Sequence, residues 1–145
     1  MVANIEKLLD ESSVLIIKKA MGYNPKLKPI SEGRGFVEFI NIGKKTNTDI
    51  IKAAYMNAAS CFDEKRGIAK SIGVELLLFL ASTDQIGAAI KTLSPKTGED
   101  FLIISNSKKL YEKTAKNLKV SNFDSKHLGK QELEKELERM ALSRL

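Results

Sequence analysis

The chain is poor in the residues that many enzymes work with: it has one cysteine, one histidine and no tryptophan. A single Cys61 cannot close an internal disulfide, which agrees with a reducing compartment. One Cys and one His127 at no close spacing give too few ligands for a zinc site and no Cys–His nucleophile pair. Proline is scarce and glycine sparse, 3 and 9 in 145 residues, and no linker tract or low-complexity segment divides the sequence. The expectation is a single domain over residues 1–145. Long apolar runs are missing too. Val74 to Ala81, interrupted by Glu75, falls far short of a bilayer span, and Met1 to Glu6 has no basic patch leading into an apolar stretch. Together these predict a soluble, cytoplasmic chain with no membrane partner. A phosphate cradle is also lacking: Gly33-Arg34-Gly35 has no third glycine, and no Gly-Lys-Ser/Thr follows a strand. The composition predicts no metal and no cofactor.

What the chain does carry is positive charge. Its 24 Lys and Arg against 18 Asp and Glu give a formal charge of +6, which invites a polyanionic partner such as nucleic acid.

Periodicity gives a coarse map. Asn4–Glu11 reads as a short amphipathic helix, and the β-branched run Val14–Ile17 as a strand. A loop follows from Tyr23 to Pro29, broken by its prolines, and Gly35–Ile40 reads as the next strand. Thr48 stands at a helix cap, Asp49 suits the helix dipole, and Ile51, Tyr55, Ala58 and Phe62 recur at helical spacing. After the charged turn 63–67, Ile68–Ser71 reads as one more helical turn. Val74–Ala81 is apolar on both alternating faces, the mark of a strand buried in the middle of a sheet. Ser82 and Gln85 have capping-box spacing, so a helix is expected to open there, with Ile86, Ala89, Ile90 and Leu93 inward. Phe101–Ile104 is another buried strand. Ser107 opens a helix with Leu110, Ala115 and Leu118 inward and Lys108, Lys109, Lys113 and Lys116 outward. The last helix, Lys130–Leu145, aligns Leu133, Leu137, Met140 and Ala141, with Glu132/Lys135 and Glu136/Arg139 pairs at i,i+3. This order predicts a two-layer α/β (α+β) fold, helices packed on a mixed sheet.

Few residues offer chemistry. Arg34-Gly35-Phe36-Val37-Glu38-Phe39 looks like the end of an RNA-binding RNP1 strand, but Arg34 stands where a base-stacking aromatic belongs. An ordinary half-buried strand with Phe39 in the core is the competing reading. Glu75 has the two readings of a general base and of a carboxylate meeting water, a lysine or a helix terminus at a strand end. Lys44 and Lys45, or Lys65, Arg66 and Lys70, are candidate phosphate contacts beside solvated-rim alternatives. Cys61 reads as a small core hydrophobe. From the residues alone the chain is a basic, non-catalytic domain that touches RNA or protein.

The segment Gly67 to Ile90, with Ile68-Ala69-Lys70 leading to Gly73-Val74-Glu75-Leu76-Leu77 and then Ser82-Thr83-Asp84-Gln85-Ile86, resembles the small regulatory subunit family of the KEOPS complex, which includes the eukaryotic PRPK-binding protein. The terminal Leu137–Leu142 is similar to that family's closing helix, and the likeness runs from about Phe36 onward. Asp84 stands where the family commonly has arginine, and Gly67 where asparagine is frequent. The resemblance implies a non-enzymatic subunit that binds and stimulates the complex's atypical kinase/ATPase subunit. It also implies help in recruiting tRNA, by its 3′ CCA end, for threonylcarbamoyladenosine modification beside the anticodon. No small-molecule substrate is implied. Carried over by position, Lys65, Arg66, Lys70, Ser82, Thr83, Gln85 and Ile86 become the tRNA-binding residues, the helix start adding backbone donors for a phosphate. Arg139, Met140, Leu142, Arg144 and Leu145 become the kinase interface, with Leu142 on a different side of the helix from Leu137 and Ala141. Two other classes stay open: a stand-alone basic RNA-binding domain using Phe36, and a small enzyme using Glu75.

Overall fold

Strict alternation in two strands organises the molecule. Phe36 and Ile40 point to one face of the sheet and Val37 and Phe39 to the other, while Leu102 and Ile104 alternate with Phe101 and Ile103. The computed structural model describes residues 15–43, 46–125 and 127–144. The expected helix at Asn4–Glu11, Val14, Lys44, Lys45 and Leu145 lie outside them.

The strands are β1 (Ile16–Ala20), β2 (Ile30–Glu32), β3 (Gly35–Asn41), β4 (Phe101–Ser105) and β5 (Val120–Asn122). They form one sheet in the order β2-β3-β4-β1-β5, and every pairing is antiparallel. The helices are α1 (Thr48–Asp63), α2 (Ile72–Ala81), α3 (Ile86–Leu93), α4 (Lys108–Ala115) and α5 (Lys130–Leu142). The α+β architecture is the expected one, but the sheet, expected to be mixed, is antiparallel throughout, because the apolar run read as its central strand is a helix. On one face Phe36, Ile40, Leu102 and Ile104 meet α1, α2 and Met140 of α5. The opposite face is smaller: Val37, Phe39, Phe101 and Ile103 are covered by Leu110 and Tyr111 of α4 and by Tyr23 and Leu27 of the β1–β2 loop.

The main correction concerns Val74–Ala81, which is helix and not a central strand. Leu76, Leu77, Leu78 and Phe79 are buried in succession because α2 is enclosed all round, and a continuous apolar run of this length does not distinguish a buried strand from a buried helix. Local signals settle it. The Ser71 hydroxyl accepts from the Val74 N–H at 3.2 Å, and the helix ends on Ser82 in the left-handed region at φ 51°. Ser82 is therefore a C-cap and not the opening of a capping box. Gln85 is the N-cap of α3, its side chain making no capping bond, and the Thr83 hydroxyl accepts from the Gln85 N–H at 3.1 Å. The centre of the sheet goes to β4.

Smaller differences have equally local causes. Asn47 caps α1 in place of Thr48, its side-chain oxygen accepting from the N–H groups of Asp49 and Ile50. Ile68–Ser71 is irregular loop. Strands β2 and β5 are three residues each with mostly exposed side chains, so they carry no inward apolar signal. Ser107 caps α4 as expected, accepting from the Leu110 N–H at 3.2 Å. On α3 only Ala89 of the expected stripe is fully buried, and Ile86 and Ile90 face solvent.

Candidate functional site

The residues assigned by resemblance fall on three surfaces. Lys65, Arg66 and Lys70 share the α1–α2 loop, all exposed. Lys65 is held at φ 56°, a left-handed conformation that turns the chain sharply after α1. The Arg66 guanidinium donates to the Glu64 carboxylate at 2.5 Å, and this bond together with the charge of Glu64 raises its pKa further. Ser82, Thr83, Gln85 and Ile86 sit on the α2–α3 turn. Helix α2 has ten residues and so separates the two groups by roughly 15 Å. The structure places them at opposite ends of one helix and does not join them into one patch. At the turn the Gln85 amide donates to Asp84 Oδ1 at 3.2 Å, so the nearest charge there is negative.

The third surface is α5. Its inward residues are Leu133, Glu136 and Met140, whereas Leu137, Ala141 and Leu142 are exposed. The expected stripe is thus rotated: Met140 is only 2% exposed and belongs to the core, which corrects its assignment as an interface anchor. Arg139 pairs with Glu136 at 3.4 Å as the i,i+3 spacing predicts. Arg144 is also corrected. It is not free for a partner, because its guanidinium donates to Glu75 Oε2 and lies 4.3 Å from the Phe79 ring centroid. Leu142, 54% exposed, remains available.

Glu75 fits neither sequence reading. It is fully buried in α2, one carboxylate oxygen accepting from Arg144 and the other from the Ala69 N–H. That carboxylate ties α2 to Arg144 and to the α1–α2 loop. Phe36 and Phe39 are buried as well, so neither offers a face for stacking on a base, as the core-strand reading expects. Among the described residues no three His, Cys, Asp or Glu side chains form a metal-ligand group.

Sequence reasoning passed over Glu38. It stands in phase with the inward Phe36 and Ile40 on β3, which was the available signal. Its side chain is buried, with 6% of its surface exposed, and burial pushes its pKa up to about 7. Room for it comes from Gly73: a Cβ there would lie 2.8 Å from Glu38 Cγ and Oε1. Glu38 lines a cleft of about 190 Å³ together with Tyr23, Phe39, Val74, Leu77, Ile90 and Leu93.

Compared with known protein families and with curated proteins, the chain matches none.

Proposed function

We propose that this chain is a non-catalytic subunit of a KEOPS-type tRNA-modifying complex, docking on the kinase/ATPase subunit through α5 and contacting tRNA through its α1–α2 loop. The observation that carries the reading is the exposed Leu142 of α5. Leu133 and Met140 already complete the core, yet Leu142, on a different side of the helix from Leu137, remains 54% exposed as a large apolar side chain that a partner surface can cover. The loop adds charge without a catalytic group: Lys65, Arg66 and Lys70 are exposed cations suited to phosphate oxygens. Glu75, the candidate base that the sequence offered, accepts from Arg144 and from the Ala69 N–H.

Calorimetric titration of the full chain with the same organism's kinase subunit tests the reading, with tRNA carrying or lacking its CCA end as second titrant. One-to-one kinase binding and CCA-dependent tRNA binding are expected. Absence of kinase binding would sink it. Binding of tRNA by the isolated chain, without any kinase contact, would instead favour a stand-alone RNA-binding domain.

A further inference from the structure

The cleft between β3, α2 and α3 has the parts of a ligand site that neither the tRNA nor the kinase contact uses. Its walls are apolar: Tyr23 from the β1–β2 loop, Phe39 from β3, Val74 and Leu77 from α2, Ile90 and Leu93 from α3. Its one ionisable group apart from the Tyr23 phenol is Glu38. That carboxyl makes no hydrogen bond or ion pair among the described residues, although a buried carboxylate without a partner is costly and is normally paired. The volume is sufficient, about 190 Å³, since an apolar cavity of about 150 Å³ accepts a benzene ring. β2 pairs with β3 only as far as Val37, so the cleft opens beside the unpaired part of β3. Ile90, 45% exposed, stands at its mouth.

We propose that this cleft binds a small primary amine with an apolar body of about benzene size, its ammonium pairing with the Glu38 carboxylate while the body lies against Val74, Leu77 and Leu93. An ammonium supplies what the site lacks. It returns to the carboxylate the charge partner and hydrogen-bond donors that burial removes, and the apolar walls take up the rest of the molecule. An anionic ligand is excluded by the same carboxylate.

The test is calorimetric titration of the full chain with phenethylamine and with 2-phenylethanol, the uncharged counterpart of the same shape. The amine is expected to bind saturably and at least tenfold more tightly than the alcohol. Because Glu38 ionises near pH 7 while the amine stays charged, its affinity should rise about tenfold from pH 6 to pH 8. In Glu38→Gln the preference for the amine should vanish and the weaker alcohol binding should remain. Ile90→Trp, at an exposed position that leaves the core intact, should close the mouth and abolish binding of both. The proposal is overturned by no saturable amine binding, by equal affinity for amine and alcohol, by a preference that survives Glu38→Gln, or by amine binding unchanged in Ile90→Trp.

Discussion

Arg144, in the turn after the last helix, donates to the buried carboxylate of Glu75 in α2, a contact across 69 positions of sequence. The other oxygen of Glu75 accepts from the Ala69 N–H in the loop that carries Lys65, Arg66 and Lys70. Gly67, in the same loop, lies so close that a Cβ there would stand 3.0 Å from that oxygen. One side chain thus fastens the turn after α5 and the basic loop to the same point in the core.

Removing Arg144 should be expensive. In Arg144→Ala the Glu75 carboxylate keeps only a backbone donor, and breaking a buried pair from one side costs about 3 kcal/mol or more. Urea unfolding should show this loss, with the slope of the transition unchanged. The double variant Glu75→Gln/Arg144→Ala should be less destabilised than Arg144→Ala alone, because no unpaired charge is left behind. Equal losses in the two proteins would mean that the arginine matters through its packing on Phe79 and not through the ion pair.

Gly73 is set by the approach of α2 to β3. A Cβ at this position would stand 2.8 Å from the Glu38 side chain and 3.2 Å from Phe36 Cβ, and Phe36 cannot yield because it is buried beneath Tyr55. Alanine gains about 1 kcal/mol of helix propensity over glycine, but overpacking at a tight site costs about 1–3 kcal/mol. Gly73→Ala should therefore lower the denaturation midpoint, and Gly73→Ala/Glu38→Ala should recover part of the loss. A more stable Gly73→Ala protein would refute the close approach.

Much of this was legible in the sequence, and what was not has a physical pattern. Phe36–Ile40 and Phe101–Ile104 declared themselves because each is flanked by turns and alternates between two buried faces. Helix α1 did so because Ile51, Tyr55 and Ala58 repeat at helical spacing. Val74–Ala81 misled because a helix wrapped by core on every side loses its polar stripe, and with it the period that would identify it. The misplaced face of α5 has the opposite origin. Leu133, Leu137, Met140 and Ala141 define a plausible stripe, but the true inward line runs through Glu136 and ends at Arg144. Only the buried Glu75 explains why a charged residue belongs there, and no periodicity reports a partner 69 residues away. The two halves of the expected tRNA site were close in sequence for the same reason that they are apart in space: a rigid helix lies between them.

Stability should fall as pH rises through neutrality, on account of Glu38. Its folded-state pKa is raised from 4.5 to about 7, so between those values the folded protein holds a proton that the unfolded chain has released. Stability from this group is fully present below pH 4.5 and is lost as pH climbs through 7. The shift corresponds to an upper limit of about 3 kcal/mol. Urea midpoints from pH 5 to pH 8 should decline more steeply in the native sequence than in Glu38→Gln, and the variant should be the more stable of the two at pH 8. Parallel profiles would show that Glu38 ionises normally.

The docking and tRNA surfaces separate cleanly in a set of surface variants. Leu142 is 54% exposed, so Leu142→Glu should leave stability within about 0.5 kcal/mol while weakening kinase binding tenfold or more, equivalent to about 1.4 kcal/mol. Met140→Ala is the opposite case: it should cost about 2–5 kcal/mol of stability and affect kinase binding only through unfolding. Lys65→Ala/Lys70→Ala should spare kinase affinity and lower tRNA affinity. Each lost phosphate contact removes about 0.7–0.9 from the slope of log affinity against log salt, so the slope should flatten by roughly 1.5. Salt titration of tRNA binding reads this directly. A loss of affinity with the slope unchanged would place the tRNA contact elsewhere, and a Leu142→Glu protein that binds the kinase as tightly as the native chain would move the interface off α5.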